Sequence, residues 1–355
     1  MRTCGIVSEY NPFHNGHKYH IEATKKELDI DCVICVMSGN FTQRGDVAIF
    51  DMYDRARVAI ENGADLVLSI PPQFVLNSAQ HYAYFAVYIL NALSGVDYLS
   101  FGSECGDIEL LKKEAEAIDL EYLKENLKKG MTYAKAVSNS DLLKEPNNTL
   151  AVEYIRALKS LNSNILPFTI KRNKIGHNDY FAVDEFASAS FIRNEIKNGG
   201  NIEKFVPKNS NYNLLKPTLD YKVAELLSYR LNLGDKFDFE NHQNISEGLN
   251  NRILKYKDSK SIAEFIENIK CKRYTQTRIR RALYSILLDI KQNETRLVMP
   301  SYTRLIAMTK TGQAFLSSTK KKHNIKVYSK ITKKDIFTNL QLKKELTCNS
   351  IYNII

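Results

Sequence analysis

No run of about 18 apolar residues, the length a membrane-spanning helix requires, occurs anywhere in this 355-residue chain. A secretory signal is missing too, because Glu9 interrupts the N-terminal apolar stretch too early to leave a hydrophobic leader. Cysteine is scarce, and the six present do not make a disulfide framework at this length. Cys32 and Cys35 have the C-x-x-C spacing of redox and metal motifs. They lie, however, in CVICVM, which reads as a buried strand, where residues three apart face opposite sides. No internal repeat or low-complexity tract is visible. These absences argue against a membrane protein, a secreted disulfide scaffold and a repeat array, and they indicate the cytoplasm.

What is present is ordinary globular material, 44% apolar and 25% charged, with enough length for two domains. The charge is distributed unevenly. Lys and Arg number 21 against 26 Asp and Glu through residue 200, whereas the remainder carries 29 against 14. An acidic front half and a basic back half suggest chemistry first and polyanion binding second.

The most informative stretch is Thr3–His20, TCGIVSEYNPFHNGHKYH. A short apolar run ends in polar residues, Asn11-Pro12-Phe13 turns the chain, and His14-Asn15-Gly16-His17 opens a helix. The first N–H groups of a helix have no intrahelical partner and carry partial positive charge, so such an end binds phosphate. His14 and His17 are three apart and share a face. Gly16 between them lets a ligand approach the backbone. Two imidazole donors on one phosphoryl group suit nucleotidyl transfer, which depends on positioning and charge stabilisation. A pair of metal-binding histidines is the competing reading.

HNGH resembles the H-x-G-H signature of the nucleotidyltransferase superfamily, and the longer EYNPFHNGHKYH resembles the bacterial tRNA(Met) cytidine acetate ligase family. The resemblance implies a Rossmann-like α/β fold with a parallel sheet. It also implies an activity in which ATP activates acetate as acetyl-adenylate, and the acetyl group passes to N4 of the wobble cytidine of elongator tRNA(Met). His14 and His17 would be the catalytic residues. ATP would be held along Val7, Ser8, Glu9, Tyr10, Asn11, Pro12, Phe13, His14, Asn15, Gly16, His17, Lys18, Tyr19 and His20. Mg²⁺ would accompany the phosphates, with no separate protein metal site.

The rest of the chain alternates strands and helices as a parallel sheet requires. A helix from about Gly16 to Leu28 precedes the strand Cys32–Met37. The loop Ser38–Asp46 then lies at a strand's carboxyl end, where ligands of such sheets collect. Its string SGNFTQRG resembles a second family landmark, with Ser38, Asn40 and Arg44 as candidate substrate contacts. A helix over Phe50–Asn62, a strand over Asp65–Ile70, a helix over Ser78–Leu93 and a strand over Asp97–Phe101 follow. His81 reads as a satisfied core or rim histidine. Gly102 would let a nucleotide lie against the backbone, and the family pattern places ATP contact there. Asp107–Lys144 reads as charged helices. Asn147, and less clearly Asn148, matches a family Pro-Asn-Asn element of the ATP site, and Arg172 follows a fifth strand, Leu166–Lys171.

FASASFIRNE (Phe186–Glu195) places Ser188 as a helix cap, Ser190 in the first turn and Arg193 one turn in. Capping N–H groups, a hydroxyl and a permanently charged fork can hold phosphate oxygens. The segment resembles the S-[ST]-x-x-I-R element that grips the β and γ phosphates in H-x-G-H enzymes. A linker over Asn198–Pro217 divides a catalytic domain, residues 1–200, from a basic, mainly helical domain, residues 201–355. There Lys270, Lys272, Arg273, Arg278, Arg280 and Arg281 cluster around Tyr274, cations suited to RNA phosphates with an aromatic for an unpaired base. KRYTQTRIRR resembles the family's C-terminal landmark, which implies tRNA contact. Lys320-Lys321-Lys322 is basic surface or a solvated loop. Two other functions fit less well: a nucleotidyltransferase joining a nucleoside triphosphate to a phosphorylated small molecule, and a non-catalytic RNA-binding protein.

Overall fold

The computed structural model describes residues 1–118, 140–172, 184–212, 220–271, 273–296 and 298–355. Parts of the expected Asp107–Lys144 helices and of the Asn198–Pro217 linker lie outside these residues, as does Lys272.

Five parallel strands form the centre of the sheet: β1 (Thr3–Ser8), β2 (Cys32–Ser38), β3 (Leu66–Ile70), β4 (Tyr98–Ser103) and β5 (Leu166–Lys171). Between and after them run α1 (Asn15–Leu28), α2 (Met52–Glu61), α3 (Pro72–Val75), α4 (Ala79–Ala92), α5 (Ile108–Ala117), α6 (Pro146–Ser160) and α7 (Ala189–Lys197). Strand β2 is buried along its whole length, which is why it reads as continuous apolar sequence rather than as an alternation. Cys32 packs with Ile34 and Val36 against α4, while Cys35 packs with Val33 and Met37 against α1 and α2. The two thiols thus face opposite layers, and burial pushes both up to about 12, which leaves them as unreactive core groups.

The strand order β5-β4-β1-β2-β3 puts β1 between two parallel neighbours reached in opposite directions. That reversal opens a crevice at the carboxyl ends of β1 and β4, the general ligand position of open α/β sheets. The HNGH segment begins at this crevice.

Beyond residue 212 the described chain forms α8 (Asp220–Leu233), α9 (Lys236–Glu240), α10 (Leu249–Lys255), α11 (Ile262–Ile269) and α12 (Gln276–Leu287). The chain then returns to the sheet. β6 (Tyr302–Met308) pairs antiparallel with β3, α13 (Lys310–Thr319) follows, and β7 (Lys326–Tyr328) pairs parallel with β6. The helices α14 (Lys333–Thr338) and α15 (Leu340–Tyr352) close the chain. The sequence reading passes over β6 and β7. Their local pattern is short, and β6 owes its place to a partner more than 230 residues earlier, as in the bond from Thr303 Oγ1 to the Ser69 carbonyl at 2.7 Å.

The helical layer is not tethered loosely. Its apolar core, built on Leu227, Phe265, Ile279 and Leu283, takes in Phe41 and Val47 from the β2–α2 loop and Leu76 from the end of α3. Phe41 meets Tyr284 and Tyr352 edge-on at 6.1 and 6.2 Å. The loop expected to touch substrate is therefore also the anchor of the C-terminal helices.

Candidate active site

The turn after β1 is shaped by its own aromatics. Tyr10, at φ 47, and Phe13 are buried, 4.8 Å apart edge to face. The Phe13 N–H donates to the Tyr212 hydroxyl at 2.9 Å, and Tyr212 stacks on Phe50. The Asn11 side chain accepts the Ile49 N–H at 2.8 Å. Tyr10, Asn11 and Phe13 thus belong to the ATP run as scaffold, with side chains turned into the protein.

His14 is the N-cap of α1 rather than a helical residue. Its Nδ1 accepts the Gly16 N–H at 3.1 Å, and the Nδ1 of His17 accepts the His14 N–H at 3.2 Å. The rings stack with centroids 3.7 Å apart. Because each Nδ1 accepts from backbone, each neutral ring carries its proton on Nε2. The Nε2–H of each ring therefore has the polarity that a developing phosphoryl charge beside the N-terminus of α1 needs. Asn15 is turned away: its amide donates to the Glu185 and Lys204 carbonyls, both at 3.0 Å. Lys18 is 3.9 Å from Glu22, and Tyr19 is exposed with its ring edge-on to Phe186.

His20 also departs from expectation. Its Nε2 lies 2.9 Å from Ser100 Oγ, which is 2.7 Å from Thr24 Oγ1, in the seam between α1 and β4. Burial, then the Arg172 charge, push it down to about 4 from 6.5. The unfolded chain therefore takes up a proton on this histidine at higher pH than the folded chain does. Stability is unaffected above the unfolded value and falls as pH drops from 6.5 toward 4, by about 3 kcal/mol in all. We expect His20→Gln to remove that slope, read as the difference between wild-type and variant urea denaturation curves at pH 7 and pH 4.5.

The second helix start expected to hold phosphate meets the first. Ser188 caps α7, its Oγ accepting the Phe191 N–H at 3.1 Å. Arg193 donates to the Asn11 carbonyl at 2.7 Å and to Ser190 Oγ at 3.1 Å. The Arg193 guanidinium is held down by burial against the pull of Asp46 and Glu9, and it faces Arg44 and Arg280. Two segments 180 residues apart in sequence thus place their helix starts at one crevice.

The third wall comes from β4 and β5. The Arg172 N–H donates to the Ser103 carbonyl at 2.9 Å, and its Nε is buried without a hydrogen-bond partner among the described residues. Its stem runs over Gly102, where a Cβ would come within 3.2 Å of Arg172 Cγ. Gly102 therefore makes room for the arginine at the place expected for nucleotide. Glu104 fastens the Pro-Asn-Asn element: it accepts from the Asn147 N–H and side-chain amide at 3.2 and 2.6 Å, and from the Asn148 N–H at 2.8 Å. Asn148 Oδ1 accepts the Glu104 and Cys105 N–H groups and is a buried structural residue, whereas Asn147 stays half-buried at the edge of the crevice.

The β2–α2 loop divides. Ser38 is fully buried against the Tyr82 hydroxyl at 3.1 Å. Asn40 is engaged at both ends, accepting from the Met52 N–H and donating to Asp51 and Asn349, so it holds the loop rather than offering itself to substrate. Arg44 is half-buried and makes no hydrogen bond or ion pair with another described residue. A residue the sequence reading missed, Arg55, is wholly buried and donates to the Glu9, Ser38, Gly39 and Phe50 carbonyls, tying together the ends of β1 and β2. Mid-helix in α2, it reads as one more surface arginine.

The basic landmark separates similarly. Lys270 and Arg273 are exposed. Tyr274, expected to stack on a base, is buried, its hydroxyl donating to the Glu247 carbonyl and its ring covered by Arg278 at 5.2 Å. Arg278 pairs with Glu247 at 3.1 Å and Arg280 with Asp46 at 3.7 Å. Arg281 donates to Asn244 Oδ1 at 3.2 Å, and burial, with Arg278 and Arg44 near it, pushes it down to about 10. His81 is a satisfied rim histidine, 2.9 Å from Ser78 Oγ.

A Rossmann-like sheet with an imidazole-capped helix start and an arginine-serine helix start at one crevice has the donors that nucleotidyl transfer needs. The chain belongs to the HIGH Nucleotidyl Transferase family, whose model matches residues 1–355. Within that family the chain is similar to proteins named tRNA(Met) cytidine acetate ligase. The relative from Clostridium perfringens is 37% identical over 100% of this chain and 96% of its own length, and the one from Thermosipho africanus is 36% identical over 99% and 91%. Among solved structures, Thermotoga maritima TmcAL in its apo form superposes with a TM-score of 0.89 at 29% identity, covering 99% of this chain and 94% of that one. The same protein bound with alpha-thio ATP gives a TM-score of 0.84 at 31% identity, covering 99% and 92%.

Proposed function

We propose that this chain uses ATP to activate acetate as acetyl-adenylate and then acetylates N4 of the wobble cytidine, position 34, of elongator tRNA(Met). The observation that carries this reading is the bond from Arg193 to the Asn11 carbonyl, which joins the two phosphate-binding helix starts into one site. ATP lies over the carboxyl end of β1. The Nε2–H groups of His14 and His17 meet the α-phosphate as acetate attacks it, and charge accumulating there is stabilised by donors already in place. Arg193, with Ser188 and Ser190, holds the departing pyrophosphate. Arg172 and Asn147 border the nucleoside, and the buried, unpartnered Nε of Arg172 supports a ligand contact there. Mg²⁺, when bound, would be held mainly by the nucleotide's phosphates and would supply charge neutralisation to the leaving pyrophosphate.

Residues 1–200 carry the ATP chemistry, and residues 201–355 supply the RNA surface as well as two strands of the sheet. Lys270 and Arg273 contact tRNA phosphates, Arg280 and Arg281 border the crevice itself, and Lys272 completes the cluster. Among the described residues no helix is long and apolar enough to cross a membrane, and we place the enzyme in the cytoplasm with the tRNA pool.

ATP–pyrophosphate exchange by the purified protein tests the first step. Exchange that requires acetate supports the reading. Exchange that ignores acetate, with or without tRNA, and follows a phosphorylated small molecule instead, overturns it. Arg193→Lys keeps the charge but loses the fork that spans Asn11 and Ser190. We expect acetate-dependent exchange to fall by about 30-fold, near 2 kcal/mol, and the Km for ATP to rise.

A further inference from the structure

The acetyl-transfer step needs a group to take the proton that cytidine N4 loses, and in the first step proposed above both histidines are committed through Nε2–H to the α-phosphate. Among the described residues, four carboxylates stand at or after the carboxyl ends of β1, β2 and β4. Glu104 has both oxygens engaged by Asn147 and Asn148. Asp51 caps α2 through the Tyr53 N–H at 2.7 Å and accepts from Asn40 at 3.1 Å. Asp46 accepts the Val47 N–H at 3.1 Å and faces Arg280 at 3.7 Å. Glu9 differs: Oε1 accepts the Gln43 N–H at 2.7 Å, with Ser38 Oγ at 3.5 Å, while Oε2 has no hydrogen-bond partner among the described residues and is not sealed in the core.

Glu9 is also well placed. It lies between the end of β1 and HNGH, and its backbone carbonyl is fixed by Arg55. Its charge acts on Arg193 and Arg44 at the crevice and on Tyr82 and Tyr154 behind it. One oxygen is thus held by the loop while the other is not engaged by any described residue. A carboxylate is, moreover, the side chain that accepts from the N4 amine of cytosine and repels the O4 of uracil.

We propose that Glu9 is the base of the acetyl-transfer step and the group that recognises the cytosine amine. This rests on the ligase reading above. N4 attacks the acetyl carbonyl of acetyl-adenylate and a C–N bond forms. The N4 proton passes to Glu9 Oε2. The bond from the acetyl carbon to the phosphate oxygen breaks, its electron pair leaves with AMP, and Glu9 returns the proton to water.

The test uses Glu9→Gln, whose amide oxygen still accepts the Gln43 N–H. Two rates are compared in wild type and variant: acetate-dependent ATP–pyrophosphate exchange, and acetyl transfer from preformed acetyl-adenylate to a tRNA(Met) transcript. We expect transfer to fall about 100-fold or more beyond any fall in exchange. In competition assays, wild type should favour a C34 transcript over a U34 transcript by about tenfold or more. That preference should shrink in Glu9→Gln, because an amide can donate to uracil O4. Equal losses in exchange and transfer, or an unchanged C34 preference, overturn the role of Glu9 alone. A wild-type protein that makes no acetyl-adenylate and acetylates no tRNA overturns the ligase reading and this assignment with it.

Discussion

Replacing His17 by Ala should reduce acetyl-adenylate formation by about 10²–10³-fold, the ~2.7–4 kcal/mol that one preorganised donor supplies to a charged transition state. The substitution also removes an acceptor, because His17 Nδ1 receives the His14 N–H in the reciprocal cap of α1. Loss of a cap costs about 1 kcal/mol of stability on its own. His17→Asn separates the two effects. An asparagine oxygen can still accept the cap N–H, but no donor remains where Nε2–H stood. We expect Ala and Asn to be equally poor in acetate-dependent exchange, with only Ala showing a lower thermal midpoint. Wild-type exchange in His17→Asn would show that His17 serves the helix and not the chemistry.

The catalytic half of the molecule is legible because its signals are local. A strand, a turn and a capped helix start are contiguous in TCGIVSEYNPFHNGHKYH, and SASFIR is a cap followed by a cation one turn in. What the sequence does not reveal is which polar residues face inward. Asn40 reads as a ligand residue but is engaged on both sides by Met52, Asp51 and Asn349, the last from the far end of the chain. Tyr274 lies among cations and reads as a base-stacking ring, yet α8, α11 and α12 close over it. Arg55 carries no motif, and its role follows from four carbonyls that only the assembled sheet brings together. Each of these depends on partners distant in sequence, as the placement of β6 beside β3 does.

Those distant partners also explain how a basic helical layer can serve a reaction on the opposite side of the chain. The β2–α2 loop holds Glu9 through the Gln43 N–H, carries Arg44 toward Arg193, and buries Phe41 in the helical core. The closest approach is at Gly45. Its φ is +78, and a Cβ there would lie 2.5 Å from the Arg281 nitrogen and 2.6 Å from the Arg280 carbonyl carbon, both backbone atoms that cannot rotate aside. Gly45→Ala should therefore push the loop away from α12 as well as strain its own backbone, costing about 2–4 kcal/mol of stability in all. We expect tRNA acetylation to fall more than tenfold as Arg280 and Arg281 leave the edge of the crevice. Gly199→Ala provides the comparison, since its φ of +71 carries the same strain but no atom lies within 4 Å of the added carbon. It should lose about 1 kcal/mol and acetylate tRNA normally. Urea denaturation and single-turnover acetylation of both variants measure the difference. Equal behaviour would mean that the contact between loop and helix does not couple RNA binding to the active site; a defect confined to Gly45→Ala would locate the coupling at that contact.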